Sequence, residues 1–427
     1  MKKLIVLMLF AQSSWAQFRN ITIAVEKEGL YPPLEPSIAI NPRDPKNIVA
    51  GVAVDRAIYS LDGGISWRDT RLTSPFGVKG DPAIIFDAKG DVFFFHLSDP
   101  SNEGRQNEAW LDRIVVNQST DKGKSWDEGE SIGHNPTKDQ DKPWPGVHPK
   151  KQFMAVSWTE FDKYGATDTT CKSNILISFS DNGGKKWSRP KRINGVSGNC
   201  LDDDETVEGA VPVINPDGKI FVAWASRGYI VFDRSYDGGN RWLNNDLAIA
   251  HQYGGWNMTI PGLKRANGLP VLGIDNSPSR FGGSLYICYA DQKNGAEDTD
   301  IWLIRSTNYG DNWSQPLRIN KDGVGKHQFF PWMTVDQATG YIYIVYYDRR
   351  DYDDNRTDVY LAYSRDGGSS FKEVKISESP FVPDPTRFFG DYNNISAHKG
   401  IITPIWTRMD NGKTSVLTAV IKDADLK

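Results

Sequence analysis

Acidic or polar stretches recur along this chain just ahead of short apolar runs, often beside a proline. They are Glu35-Pro36, Gly80-Asp81-Pro82, Asp141-Lys142-Pro143, Glu205-Thr-Val-Glu208-Gly209, His327-Gln-Phe-Phe-Pro331 and Gly390-Asp391-Tyr392. Carboxyls held in different surroundings can give and take protons, which is what general acid–base catalysis needs. Further polar groups fall on the segments expected to surround them: His96, His327, Arg349, Arg350, Arg387 and Arg408. Arginine forks grip anionic groups, and Trp144 and Trp332 offer flat apolar faces on which a sugar can stack. Each residue also has a plainer reading. An Asp before Pro caps a turn, and a lone His is usually a hydrogen-bonded surface or core residue.

Such residues act together only if the chain brings them together. Six copies of one pattern supply the means, the first being Ser60-Leu-Asp62-Gly-Gly64-Ile-Ser-Trp67 and the last Ser364-Arg-Asp366-Gly-Gly368-Ser-Ser-Phe371. Between them come copies that begin at Ser119, Ser180, Ser235 and Ser306. Their spacing of roughly 55 to 70 residues is that of one four-stranded propeller blade with its loops. The Asp or Asn caps its own turn, the Gly takes a positive φ, and the terminal aromatic anchors the hairpin. Three strands precede the turn in each copy, giving six blades. After the sixth turn three strands remain, Asn394–Lys399, Ile401–Arg408 and Ser415–Ile421. The segment Arg19–Val25 stands alone before the first blade. Pairing it with them closes a seventh blade and leaves no free sheet edge. The acidic stretches then converge where the inner strands begin, at one mouth of the ring.

The repeated pattern resembles the Asp box of the sialidase-like, or BNR-repeat, propellers, and the resemblance spans most of residues 17–427. It implies an all-β propeller, here seven-bladed, although sialidases themselves have six blades and a six-bladed ring is the alternative. It also implies glycan chemistry, most simply glycoside hydrolysis. Tyr392 resembles the family's nucleophilic Tyr, with Glu208 or Glu205 as its base and Asp81 as proton donor. Asp141, Asp391 and Glu35 complete the acidic ring. The sequence departs from the family where an Arg-Ile-Pro motif should open the first inner strand, because Leu34-Glu35-Pro36 stands there. A carboxylate in that slot repels the carboxylate of a sialic acid. Arg349, Arg350, Arg387 and Arg408 are left as candidate anion contacts that no motif fixes. Two other readings stay open: a non-catalytic glycan- or protein-binding propeller, and a polysaccharide lyase that uses His or Tyr with Arg.

Composition agrees with many short strands. The chain of 427 residues is 12% aromatic, with 14 Trp and 39 Gly, and its net charge is −4. No basic run forms a nucleic-acid or membrane footprint, so the expected partner is a carbohydrate. Lys2 and Lys3, the apolar run Leu4–Phe10 and Ser14-Trp15-Ala16 read as an export signal. The mature chain would begin near Gln17 and reside in the periplasm or outside the cell, with no membrane-spanning segment. Cys171 and Cys200 flank one turn motif and are candidates for a disulfide, while Cys288 reads as a buried thiol. No cofactor is expected. Asp202-Asp203-Asp204-Glu205 offers hard oxygen ligands for calcium but lacks the spacing and glycine of a recognised calcium loop, so it reads first as a solvent-facing turn.

Overall fold

The six turn motifs fold alike. Ser60 Oγ donates to Asp62 Oδ1 at 2.8 Å and accepts the Gly64 N–H at 2.8 Å. Asp62 then takes the Ser66 N–H at 2.9 Å, and the Trp67 indole donates to the Gly64 carbonyl at 3.1 Å. The Ser–Gly and Ser–Asp/Asn bonds recur from Ser119 to Ser364. Each motif satisfies the backbone of a tight turn from its own side chains, so every blade ends in the same hairpin.

The computed structural model describes residues 17–427, and the export signal read in residues 1–16 lies outside the described residues. Six four-stranded antiparallel sheets follow one another in chain order. Their inner strands are Ser37–Ile40, Ala83–Phe86, Asp139–Val147, Val207–Ile214, Val271–Ile274 and Gln328–Val335. The seventh blade starts on Asn394–His398, continues through Ile401–Asp410 and Lys413–Thr418, and receives Ile21–Val25 as its outer strand. Ile21 pairs with Thr418 and Val25 with Ser415, so the two ends of the chain close the ring. Only two three-residue 3₁₀ turns interrupt this all-β architecture among the described residues, where no helix is long and apolar enough to cross a membrane.

Blade packing explains why the second strands lack alternation. Phe93, Phe94 and Phe95 are consecutive and fully buried. Phe94 packs toward the first blade with Val49 and Tyr59, while Phe95 meets Trp187 of the third blade with ring centroids 5.7 Å apart. Both faces of a blade are interior, so the strand reads as one apolar run. Each such ring contributes about 1.5–3 kcal/mol of transfer free energy.

Two features went beyond the repeat. The connection from Gln252 to Gly268 carries a small hairpin, Asn257–Met258 paired with Ala266–Asn267. The inner strands of the third, fourth and sixth blades also begin early and are bulged, between Asp141 and Trp144, Glu208 and Val211, and Phe329 and Trp332. At these strand starts the residue two before the aligned strand position lies left-handed: Glu35 at φ 53°, Asp81 at 51°, Lys142 at 51°, Gly209 at 73° and Phe330 at 50°. Left-handed backbone costs a residue with a Cβ about 1–2 kcal/mol. Strain of this kind, repeated at one end of a ring, marks a place where side chains are being aimed.

Candidate functional site

Four of the five left-handed residues bear side chains, and three of those, Glu35, Asp81 and Lys142, line a cavity of about 440 Å³ at the mouth. Asp141 and Asp391 line it too, with Trp110, Tyr164, Lys264, Arg265 and Phe388 closing its sides. Glu208 is fully buried immediately behind. The acidic stretches therefore meet at the axis, as their places at the inner-strand starts require.

Lys142 is the hub. Its Nζ lies 3.0 Å from Asp391 Oδ2, 3.5 Å from Glu208 Oε1 and 3.8 Å from Asp141 Oδ2. Its ammonium also stands 5.9 Å from the centre of the Trp256 ring. Arg265, on the small hairpin, reaches over the mouth. It donates from Nε to Asp391 Oδ1 at 2.8 Å, again to Asp391 from Nη2, and from Nη1 to Asp202 Oδ2 at 2.8 Å. Asp202 also accepts the Tyr164 hydroxyl at 2.6 Å and the Trp256 indole N–H at 2.7 Å. Gly209 makes room for this hairpin, since a Cβ there would meet Leu269 at 2.3 Å and Trp256 at 3.0 Å.

The carboxyls divide by protonation. Burial disfavours the charge of Asp391, yet Arg265 and Lys142 outweigh it and hold its pKa below the ordinary range. Burial, then the Asp391 charge, pushes Glu35 up to about 8. Asp81 and Asp141 are neighbours on the cavity wall, and each perturbs the other's titration. Burial and the charge of Glu35 raise Asp81 to about 6, and burial with the charge of Asp81, against the pull of Lys142, raises Asp141 well above the ordinary carboxyl range. Their mutual contact lowers Asp81 and raises Asp141, which favours Asp141 as the carboxyl that holds the proton. Neither Glu208 oxygen has a hydrogen-bond partner, with Lys142 Nζ 3.5 Å away, and burial, then the charge of Asp202, against Lys142, raises its pKa well above the ordinary range.

Tyr392 lies just inside the mouth rather than on the cavity wall. Its ring packs 5.0 Å from Trp144 and 6.0 Å from Trp332, its hydroxyl is buried without a partner, and burial, Asp81 and Glu35 raise its pKa well above 10. Trp144 and Trp332, expected to stack on sugars at the mouth, instead pack on each other at 4.2 Å and line a second, axial cavity of about 390 Å³.

Other expected site residues are drawn elsewhere by stronger partners. His96 is interior to its sheet, bonded to Asn117 Oδ1 at 2.8 Å and the Leu97 carbonyl at 2.7 Å. His327 bonds Thr299 Oγ1 at 3.0 Å. Arg349 is buried against the Pro261 carbonyl and the Phe329 ring, where it braces the small hairpin. Arg350 pairs with Asp348 and Glu373, both at 2.6 Å. Arg387 pairs with Glu26 at 3.0 Å, and Arg408 holds Asp410 and the Ser379 carbonyl. None of these six lines the mouth cavity. Glu205 is bound to Arg227 at 2.9 Å, away from Tyr392.

Lys142, Arg265, Tyr164 and Trp110 join the mouth without having been expected there, and Asp202, expected as a calcium ligand or turn residue, serves it too. Lys142 stood inside a stretch already singled out. Arg265 carried no signal, because it lies in a connection with no alternating pattern. The Cys171–Cys200 disulfide is formed, with Cα atoms 5.7 Å apart, and ties the loop of Tyr164 to that of Asp202. Within Asp202–Glu205, Asp202 serves the mouth, Asp204 caps the Asn257 N–H at 2.8 Å and Glu205 meets Arg227. Among the described residues no group of three or more His, Cys, Asp or Glu is arranged to hold a metal.

No family model matches the sequence, and no curated protein does. Solved structures do resemble the fold. The structure of a polysaccharide lyase of a new family, an ulvan lyase, superposes with a TM-score of 0.55 at 13% identity, over 95% of this chain and 96% of that one. An α-L-arabinofuranosidase from Fusarium graminearum gives 0.51 at 13% identity, over 96% and 98%. A Penicillium chrysogenum α-L-arabinanase complexed with arabinobiose gives 0.50 at 13%, over 95% and 98%. At these identities the likeness is one of fold. The chain is a seven-bladed β-propeller, and its chemistry must be argued from its own mouth.

Proposed function

We propose that this is an exported, glycan-acting enzyme of the sialidase-like, Asp-box type, a glycoside hydrolase working at the mouth cavity. The observation that carries the reading is the Asp81–Asp141 pair, two buried carboxyls side by side on the wall of a cavity of about 440 Å³, both with raised pKa values. Near neutral pH such a pair holds an acid and a base side by side, the poise that bond cleavage with a poor leaving group requires. The structural neighbours named as a lyase, an arabinofuranosidase and an arabinanase all act on glycans by name, which supports the substrate class.

In this reading Asp141 gives its proton to the leaving glycosidic oxygen. Tyr392, the residue that resembles the family's nucleophile, attacks the anomeric carbon and passes its phenolic proton to Asp81, whose charge it already feels, a step that requires its buried hydroxyl to open onto the cavity. Water then releases the sugar by the reverse transfer. A phenol is a sensible nucleophile here because its pKa keeps it neutral until it attacks. Lys142 and Arg265 hold Asp391 ionised and fix the floor, and Trp110 and Tyr164 supply apolar wall against sugar C–H groups. Assay of the mature protein against a panel of aryl glycosides tests the proposal. It fails if no member is turned over, or if turnover survives Asp141→Asn and Tyr392→Phe unchanged.

One observation favours the rival reading of a glycan-binding propeller without catalysis. The Tyr392 hydroxyl is buried, and Lys142 and Arg265 are both fully engaged by carboxylates. Binding without turnover in the same panel would select it. A lyase using His96 or His327 is disfavoured, since neither ring borders the cavity.

A further inference from the structure

Three aromatic rings meet on the mouth face of the fourth blade. Tyr229 opens its third strand and pairs with His251 at the end of its outer strand. The two rings lie 5.0 Å apart, and Tyr253 follows with its ring 4.3 Å from His251. Tyr229 is 43% exposed and Tyr253 59%, with His251 exposed between them. Neither tyrosine hydroxyl has a partner among the described residues. Exposed aromatics scattered singly need no explanation, but three in contact, held open to water, form a surface.

That surface is built rather than incidental. The buried Asp291 carboxylate takes the N–H of Gly254 at 2.7 Å and of Gln292 at 2.9 Å, which fixes the turn after Tyr253. Gln252 is buried beneath, its N–H on the Gly228 carbonyl at 2.8 Å and its side-chain amide on the Gly268 carbonyl. Three residues beyond Tyr253 comes Trp256, whose indole bonds Asp202 and underlies Lys142 in the mouth. Three residues of extended chain span at most about 11 Å. The rings therefore stand within one short stretch of chain of the Trp256 ring, which underlies Lys142 at the mouth.

We propose that Tyr229, His251 and Tyr253 form an outlying glycan-binding platform, which holds sugar rings of a polymer whose end occupies the mouth. Aromatic faces suit the apolar C–H faces of sugars, and the free hydroxyls suit their edges. The inference rests on the reading of the mouth as a glycan site.

The test is affinity electrophoresis of the mature protein in native gels cast with soluble arabinan, polygalacturonate or laminarin. Retardation of the wild type in at least one gel is expected. The double variant Tyr229→Ala, Tyr253→Ala should weaken that binding by about fivefold or more, and Tyr253→Phe should hold within about twofold. Turnover of a small aryl glycoside, which does not reach the platform, should be unchanged in all variants. A wild type unretarded in all three gels, or a folded double variant retarded as strongly as the wild type, overturns the proposal. If the double variant lowers the thermal midpoint, Tyr253→Lys alone is read instead, and undiminished retardation there overturns it equally. Loss of retardation without any aryl glycoside turnover would sink the hydrolase reading and leave the platform standing.

Discussion

Lys142 Nζ and Asp391 Oδ2 stand 3.0 Å apart, although 249 residues separate them in the chain. The contact joins the third blade to the seventh at the axis. Both side chains are almost fully buried, so neither charge can be left alone cheaply. Asp391→Asn or Lys142→Met should each cost roughly 3–5 kcal/mol of stability. The double variant should cost clearly less than the sum, as a double-mutant cycle in chemical denaturation would show.

The raised carboxyls give a pH dependence of stability whose sign can be worked out. Glu35 rises from 4.5 to about 8 and Asp81 from 3.8 to about 6 on folding, so the folded state binds more protons across that range. Stability must therefore fall as pH climbs from about 4 to about 8. Asp391, with its pKa lowered, works the other way and loses its contribution as pH drops below its ordinary range. Thermal midpoints between pH 4 and pH 8 check this. Glu35→Gln should flatten the decline.

Activity should depend on pH through the Asp81–Asp141 pair. Asp81 must be ionised and Asp141 protonated, so the rate is expected to rise through about pH 6 and to fall again where Asp141, its pKa raised above the ordinary carboxyl range, loses its proton. Asp81→Asn should remove the acidic limb together with most of the rate.

The disulfide positions the mouth at one remove. It closes a loop of 29 residues in sequence separation and ties together the loops that carry Tyr164 and Asp202. Chain entropy assigns such a crosslink roughly 3–4 kcal/mol. Cys171→Ser with Cys200→Ser should lower the thermal midpoint and raise the KM of any substrate more than it lowers kcat.

Gly239 shows how tightly the turn motifs are packed. It lies at φ +90°, and a Cβ there would meet the Phe179 ring at 2.3 Å. Gly239→Ala should destabilise the fold by about 1–3 kcal/mol through strain and overpacking. Its distance from the mouth should leave kcat of the folded fraction unchanged.

The sequence foretold the ring and its closure because Ser60 to Trp67 and its copies are local devices. Each satisfies itself, so its meaning does not depend on distant residues. The mouth was legible only in part. Glu35, Asp81 and Asp141 could be placed because strand starts in a propeller converge. What each would face could not be read, since the bulge between Asp141 and Trp144 resets the in–out alternation. That bulge turned Lys142 to the axis and Trp144 toward the lower cavity. Arg265 was invisible for another reason. Its hairpin strands are two residues long and stand on contacts to Asp391 and Asp202 that are remote in sequence. His96 was misjudged because Asn117, one strand away, offered it a partner inside the sheet.

The account stands or falls on whether Asp141 delivers the proton. The direct measurement compares Asp141→Asn with the wild type on two aryl glycosides of the same sugar, one with a poor and one with a good leaving group. A loss of about 10²–10⁴-fold is expected for the poor leaving group and far less for the good one, which needs no protonation. Equal losses on both substrates, or no loss on either, would contradict it.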